Sequence, residues 1–513
     1  MKTIHKILTA GALAVMMIGC TNLDEELYGR LSPDTYYQNE NEALSSVVGV
    51  YSRLARLYQA GGDGWRIGEY STDELFCPGR ANGGWYDANV DAIMDHRPDG
   101  NNGRLQTCWK NNVFGTIGCA NAVIASIEAS PLADQLAPMI AEARTARAYA
   151  YYYALDYWGN VPLFTGAKVD PNDLPKQATR KELFDFLETE LKESIAVLPS
   201  AKDVDINYYP RFTKQAAQVL LAELYLNAEV YSGTARWADC EQVCNEIINS
   251  GAYSLEAHVG DCFLVANEGK SVEVIAALAV DPTKRCDGNQ FILYAQHATD
   301  QQKYSLNFAP ACGYCFGQVA LDRYDDPNDT RLELLEYGPQ FMLDGSPIAN
   351  PDGEGQLVLT DLESMTAAQN WEGYRVLKYS PVGATCTGGS ADNDYIMQRY
   401  ANVLLMKCEV LVRQNKDAGT ALDLINQVRT RSHVAPLTAA ELDLAAIEKE
   451  RANEFIWEGK RRSDMIRFGS FLTTSWGLPH PAADGASSGY KILFPIPNDQ
   501  INSNPNLSQN PGY

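Results

Sequence analysis

Residues 398–431 read QRYANVLLMKCEVLVRQNKDAGTALDLINQVRTR. Gln398 to Arg413 and Ala418 to Arg431 both carry apolar residues at helical spacing, and the polar turn at Asn415-Lys416 separates them. Two helices in about 34 residues make one tetratricopeptide-type unit, with Ala421, Ile425 and Val428 facing inward. One such unit cannot bury its own apolar face, so further helices must stack against it.

They appear in the first half. From Ala143 to Trp158, Tyr149, Tyr153 and Tyr157 recur every fourth residue beside Ala143, Ala146, Ala150 and Ala154, a buried helix face whose tyrosines read as core. Thr213 to Tyr231 predicts another helix, with Thr213 as its N-cap, and Trp237 to Asn249 a third that stops at Gly251. Between the helical parts, residues 262–394 turn to glycine, proline, asparagine and aromatics. The expected fold is mostly α: a tetratricopeptide-like helical repeat scaffold over 40–261 and 395–513, with a loop-rich insertion at 262–394 containing short strands. Binding residues concentrate in loops on rigid scaffolds, which directs attention to that insertion and to Gly61 to Gly103.

At the N-terminus, Lys2 and Lys6 precede an apolar run from Ile7 to Ile18 and then Gly19-Cys20. The run is too short to span a bilayer but suits a secretory signal over residues 1–19. Met17-Ile18-Gly19-Cys20 resembles a bacterial lipobox, which predicts a diacylated Cys20 and a lipidated tether over 20–39. Leu23-Asp24-Glu25-Glu26 places acids next to that anchor, similar to surface-export signals of Gram-negative lipoproteins.

The chain of 513 residues has a formal charge of -23, with 45% hydrophobic and 21% charged residues, so it is globular, and a polyanion such as nucleic acid is excluded as a partner. Six scattered histidines and twelve cysteines complete no metal set: Cys312-x-x-Cys315 and the Cys240/Cys244 pair lack partners at ligand spacing. Asp322 to Asp329 reads as a surface turn rather than a calcium loop. No G-x-S-x-G, H-E-x-x-H or phosphate loop is present, so neither a catalytic site nor a cofactor is predicted.

Several stretches in order resemble the SusD/RagB family of starch-utilisation-type outer-membrane lipoproteins. They are Ala143-Arg144-x-x-Arg147 running into Tyr157-Trp158-Gly159 and Pro162; Arg211-Phe212-Thr213; and Glu450-Arg451-x-x-Glu454, Glu458, Asp464 and Arg467. Phe494-Pro495-Ile496-Pro497 and Asn504 to Tyr513 close the set. The acids and arginines from Glu450 to Arg467 read as an ion-pair network between packed helices.

The resemblance implies a lipid-anchored protein facing the cell exterior, which captures oligo- or polysaccharide and passes it to a SusC-like TonB-dependent transporter. Capture of peptides and a surface glycoside hydrolase are the alternatives. A sugar site needs exposed rings flanked by amides, acids or arginines. Gly83-Gly84-Trp85-Tyr86-Asp87-Ala88-Asn89 offers Trp85, Tyr86, Asp87 and Asn89; Gly313-Tyr314-Cys315-Phe316 offers Tyr314 and Phe316. Further candidates are Trp65 with Arg66, Tyr304, and Trp371 with Tyr374.

Overall fold

The structure is a computed structural model that describes residue 37 and residues 39–281, 288–473 and 489–513. The signal segment, Cys20 and most of the tether lie outside those residues.

Helices α1 (Glu40–Tyr58), α2 (Asp63–Tyr70), α3 (Phe114–Glu128), α4 (Ala137–Tyr157), α5 (Arg180–Val197), α6 (Lys214–Leu226) and α7 (Trp237–Ser250) form the first part of the scaffold. Helices α8 (Tyr400–Arg413), α9 (Ala418–Arg431), α10 (Leu444–Glu454) and α11 (Arg461–Phe468) form the second. Each of α3 to α9 packs on the next, so α7 lies against α8 across the insertion and the two helical parts are one array. Helix α11 returns to α2, which brings the end of the array back to its beginning.

The predicted helices shift at their ends for identifiable reasons. Helix α4 begins at Ala137 rather than Ala143, with Pro138 in its first turn where a missing N–H is harmless. Ala143, Ala146, Ala150 and Ala154 are buried, which lets α3 and α5 approach closely. The single helix expected over Thr213 to Tyr231 is broken after Leu226. Asn227 ends α6 by donating from Nδ2 back to the Glu223 carbonyl, while its Oδ1 accepts from Arg467. Thr213 does stand at the N-cap of α6, but its hydroxyl makes no capping bond. Gly251 closes α7 at φ 59°, the left-handed conformation that glycine adopts without strain.

The insertion leaves the array through β1 (Val274–Leu278) and returns through β2 (Tyr395–Arg399), paired antiparallel. Beyond that neck, the described residues of the insertion form three further two-stranded pairs, each two residues long. Short strands in a loop-rich segment are what its composition predicts.

The charged motif from Glu450 to Arg467 is buried and structural. Arg399, with no exposed side-chain surface, binds Glu273 at 2.6 Å, Glu454 at 2.9 Å and Glu458 at 2.7 Å. Arg331 binds Asp329 and Glu450 as well as Glu454, and Arg431 joins Glu273 to Glu454. Burial alone would raise the Glu454 carboxyl, but Arg431, Arg399 and Arg331 outweigh it and hold Glu454 well below the usual carboxylate range. Because Glu273 and Arg399 sit on the neck and Arg331 in the insertion, this network bolts the insertion to the array.

Candidate binding site

The glycine-rich segment near Trp85 is stitched to the insertion by backbone. Phe76 and Cys315 exchange both hydrogen bonds, and Gly79 and Ala81 donate to the carbonyls of Met365 and Ala368. Gly83 and Gly84 then turn the chain at φ 96° and 88°, and Trp85 follows at φ 65°. A tryptophan in that region costs about 1–2 kcal/mol and persists only where its surroundings hold it.

The hold is visible. The Trp85 indole N–H donates to the Ala311 carbonyl at 3.0 Å. A Cβ on Gly313 would lie 2.6 Å from the indole, so only glycine lets this backbone approach the ring. Tyr294 meets Trp85 edge-to-face at 5.4 Å and 89°, and Tyr314 lies beneath at 5.9 Å. Trp85 and Tyr294 are half-buried, while Tyr86 beside them is 58% exposed. The result is a corner of two rings open to solvent.

The polar rim comes from the same loop. Asp87 caps the helix Ala88–Met94, accepts from both the backbone and the side chain of Asn89, and accepts from Arg104 Nε at 2.8 Å. Partial burial raises the Asp87 carboxyl, but the Arg104 and Asn89 bonds outweigh it and hold it below the usual range. The Asn89 carboxamide is occupied by Asp87 and by the Gly103 N–H. Arg66 pairs with Asp63 at 2.6 Å and lies 3.5 Å from the Tyr314 hydroxyl. These groups can orient a hydroxylated ligand beside the rings. Asp87, kept ionised by its partners, is poorly suited to the proton donation that glycoside cleavage needs.

The structure separates the other predicted residues from this corner. Tyr314, Phe316, Trp65 and Tyr374 were expected as exposed rings, but all four are core. Tyr314 gives its hydroxyl to the Ala60 carbonyl, Trp65 its indole N–H to the Trp457 carbonyl, and Tyr374 its hydroxyl to Gln318. Phe316 is fully buried against Tyr374. Tyr314 touches Trp65, Tyr70 and Trp457, so the corner rests on a column of rings that reaches the buried network. Trp371 is half-buried and packs on the core. Tyr304, under the Lys303 ammonium, lines a different cavity of about 330 Å³ with His258, Asp261 and Lys378. Tyr294 was missed: it lies on a one-turn helix, Phe291–Ala295, where nothing in the local sequence marks it.

Among the described residues no group of three or more His, Cys, Asp or Glu could hold a metal. Asp326 accepts from the backbone of Asn328 and Ala435 and Asp329 from Arg331, so the Asp322 to Asp329 stretch is a turn.

A family model described as "SusD family" matches residues 346–513, and one described as "Starch-binding associating with outer membrane" matches residues 70–226. The chain is 28% identical over 418 residues to the starch-binding protein SusD of Bacteroides thetaiotaomicron, covering 73% of this chain and 72% of that one. The chain belongs to the SusD/RagB family. Its fold is shared with a SusD-like carbohydrate binding protein from Bacteroides fragilis, at TM-score 0.74 and 20% identity over 93% of this chain and 100% of that one. It is shared too with surface glycan-binding protein A from Bacteroides thetaiotaomicron in complex with laminarihexaose, at TM-score 0.72 and 21% identity over 92% and 99%.

The SusD/RagB motifs serve as fastenings in this chain. Trp158 donates its indole N–H to the Pro495 carbonyl, and Asn510 donates to the carbonyls of Trp158 and Phe494, which ties the C-terminal tail to α4. Arg147 pairs with Glu190 and Arg211 with Glu142.

Proposed function

We propose that this SusD/RagB protein is a cell-surface lipoprotein, anchored in the outer membrane through Cys20. It binds oligo- or polysaccharide at the corner formed by Trp85 and Tyr294 and delivers it to a TonB-dependent transporter, performing no chemistry on it. The observation that carries this reading is the Trp85 ring, held in a strained left-handed conformation and left open to solvent beside Tyr86 and the Asp87–Arg104 pair. Sugars present flat C–H faces bordered by hydroxyls, which rings with a polar rim match. Rings at a right angle fit a chain that coils between residues better than a flat ribbon. The starch and laminarihexaose named for the relatives are coiled glucans, which agrees with that shape.

The test is retardation of the protein starting at Thr21 in gels containing starch, laminarin, cellulose derivatives and host-type glycans, with reducing ends assayed in parallel. Retardation by a coiled glucan without new reducing ends is expected. Release of reducing ends would make the protein a hydrolase, and no retardation by any glycan with an intact fold would overturn the ligand class.

A further inference from the structure

Trp457 stands at φ 61° and Gly459 at φ 73°, so the turn between α10 and α11 is left-handed at two positions. A tryptophan keeps that conformation only where its surroundings hold it. Two acids, one on α2 and one just after it, do much of the holding. Glu69 Oε1 accepts from the Gly459 N–H at 2.6 Å, and Glu74 Oε2 accepts from the Trp457 N–H at 3.4 Å. The Glu74 carbonyl accepts from the Trp457 indole at 2.7 Å. Trp457 in turn carries the ring column: its carbonyl accepts from Trp65, and its ring meets Trp65 at 6.1 Å and Tyr314 at 6.5 Å. Tyr314 lies beneath Trp85. A displacement of the turn therefore reaches the ring that faces solvent.

Glu69 differs from the acids around it in pairing with no lysine or arginine among the described residues. Asp73 pairs with Arg461 and Arg323, and Glu74 with Arg323. Glu69 also lines a cavity of about 40 Å³ between α2, α4, α6 and α11. Around it Lys460 pairs with Glu223, Arg462 with Asp156, Asp464 with Arg451 and Arg467, and Glu458 with Lys378 and Arg399. Tyr58 from α1 and Tyr149, Tyr152, Tyr153 and Tyr157 from α4 complete the wall, each pushed up by burial and so neutral. Glu69 Oε2 is buried and has no hydrogen-bond partner among the described residues. An ionised Glu69 would be an unpaired charge beside Asp73 and Glu74, which burial penalises heavily. A protonated one donates from Oε2 into the cavity, which has room for water, while Oε1 accepts from Gly459. Burial, and then the Glu74 carboxylate, push Glu69 well above the usual carboxylate range.

We propose that Glu69 is a positioning residue for glycan binding, fixing Trp457 through Gly459 and so setting the ring column under Trp85, an inference that rests on the binding corner proposed above. Ionising Glu69 adds a third negative charge beside Asp73 and Glu74. The carboxylate is then drawn into the cavity, where water solvates it, and away from the Gly459 N–H. A group raised in the fold supports the corner while it is protonated, and that support is lost as pH rises through its folded value.

The experiment uses the full chain, expressed in the bacterium that makes it and purified in detergent. Maltohexaose and laminarihexaose are each titrated by calorimetry at about pH 6.5 and about pH 9.5, either side of the range where a raised carboxyl loses its proton. Wild-type affinity for the hexasaccharide that binds should fall about tenfold between the two, the size of one buried hydrogen bond. In Glu69→Gln the side-chain oxygen still accepts from Gly459 but nothing ionises, so the fall should shrink to less than about twofold. A Glu69 with a structural role alone would show in the melting temperatures, read at both pH values, and leave the affinity ratios of wild type and variant equal. Equal ratios overturn the inference. So does a wild-type affinity that is the same at both pH values, whether or not Glu69→Gln folds. If neither hexasaccharide binds the wild-type chain at either pH, the coiled-glucan reading above fails, and this inference with it.

Discussion

Residues 450–467 hold five lysines and arginines and four acids, and most of those side chains are buried and paired across α10, α11, the neck and the insertion. Residues 83–89 hold one acid, one amide and two rings, and this is the loop that reaches solvent beside Tyr294. The difference lies in what each stretch must satisfy. A buried guanidinium demands several fixed partners and so serves the fold, whereas a ring on a glycine turn can remain open because its N–H and lower face are already occupied.

The comparison breaks if the network proves dispensable. Arg399→Met leaves Glu273, Glu454 and Glu458 buried with a partner missing. It should destabilise by about 3–5 kcal/mol, read as a large fall in melting temperature or loss of soluble protein. A variant melting within a few degrees of wild type would show that the network is not what bolts the insertion.

Acid should attack the same region. Glu454, Glu458 and Asp464 are buried, and although burial raises each carboxyl, their arginine partners, joined at Glu458 by Lys378, hold all three below the usual range in the fold. Their contribution is present above the unfolded value of about 4 and is lost as pH falls below it. Melting temperature should therefore drop between about pH 5 and pH 3. Glu268 has the opposite sign: burial and then Asp394 push it up to about 8, so it favours the fold at low pH and loses that contribution as pH rises towards 8. Glu268→Gln should flatten the profile between about pH 5 and pH 8 while leaving the fall between about pH 5 and pH 3 in place.

At the corner the order of effects reverses. Trp85→Ala should weaken glycan binding by about thirtyfold, roughly 2 kcal/mol, while the melting temperature moves by only a few degrees. Comparable losses in both would place Trp85 among the structural rings. The smallest expected effect is at Tyr304: because it lines a separate cavity, Tyr304→Ala should leave glycan titrations unchanged, and a loss there would move the site towards the neck of the insertion.

Much of the fold was legible because helical periodicity and small residues record it directly. The pair at 398–431 appears as α8 and α9, and the alanine stripe in α4 lies where its spacing put it. The network was legible as a network because helical spacing of opposite charges has a single structural meaning. Half of the corner could be read from Gly83-Gly84-Trp85, where a ring on a glycine turn has no local reason to be core. Burial at Tyr314, Phe316, Trp65 and Tyr374 could not, because their partners Ala60, Trp457 and Gln318 are distant in sequence or on another turn. Tyr294 escaped for the complementary reason: its exposure is decided by how the insertion folds back over Gly61 and Trp85.

The most direct test is a crystal structure of the chain soaked with laminarihexaose and, separately, with maltohexaose. One of these is expected to lie against the faces of Trp85 and Tyr294, with hydroxyls near Asp87 and Arg104. A saccharide bound elsewhere, with that corner empty, would contradict it.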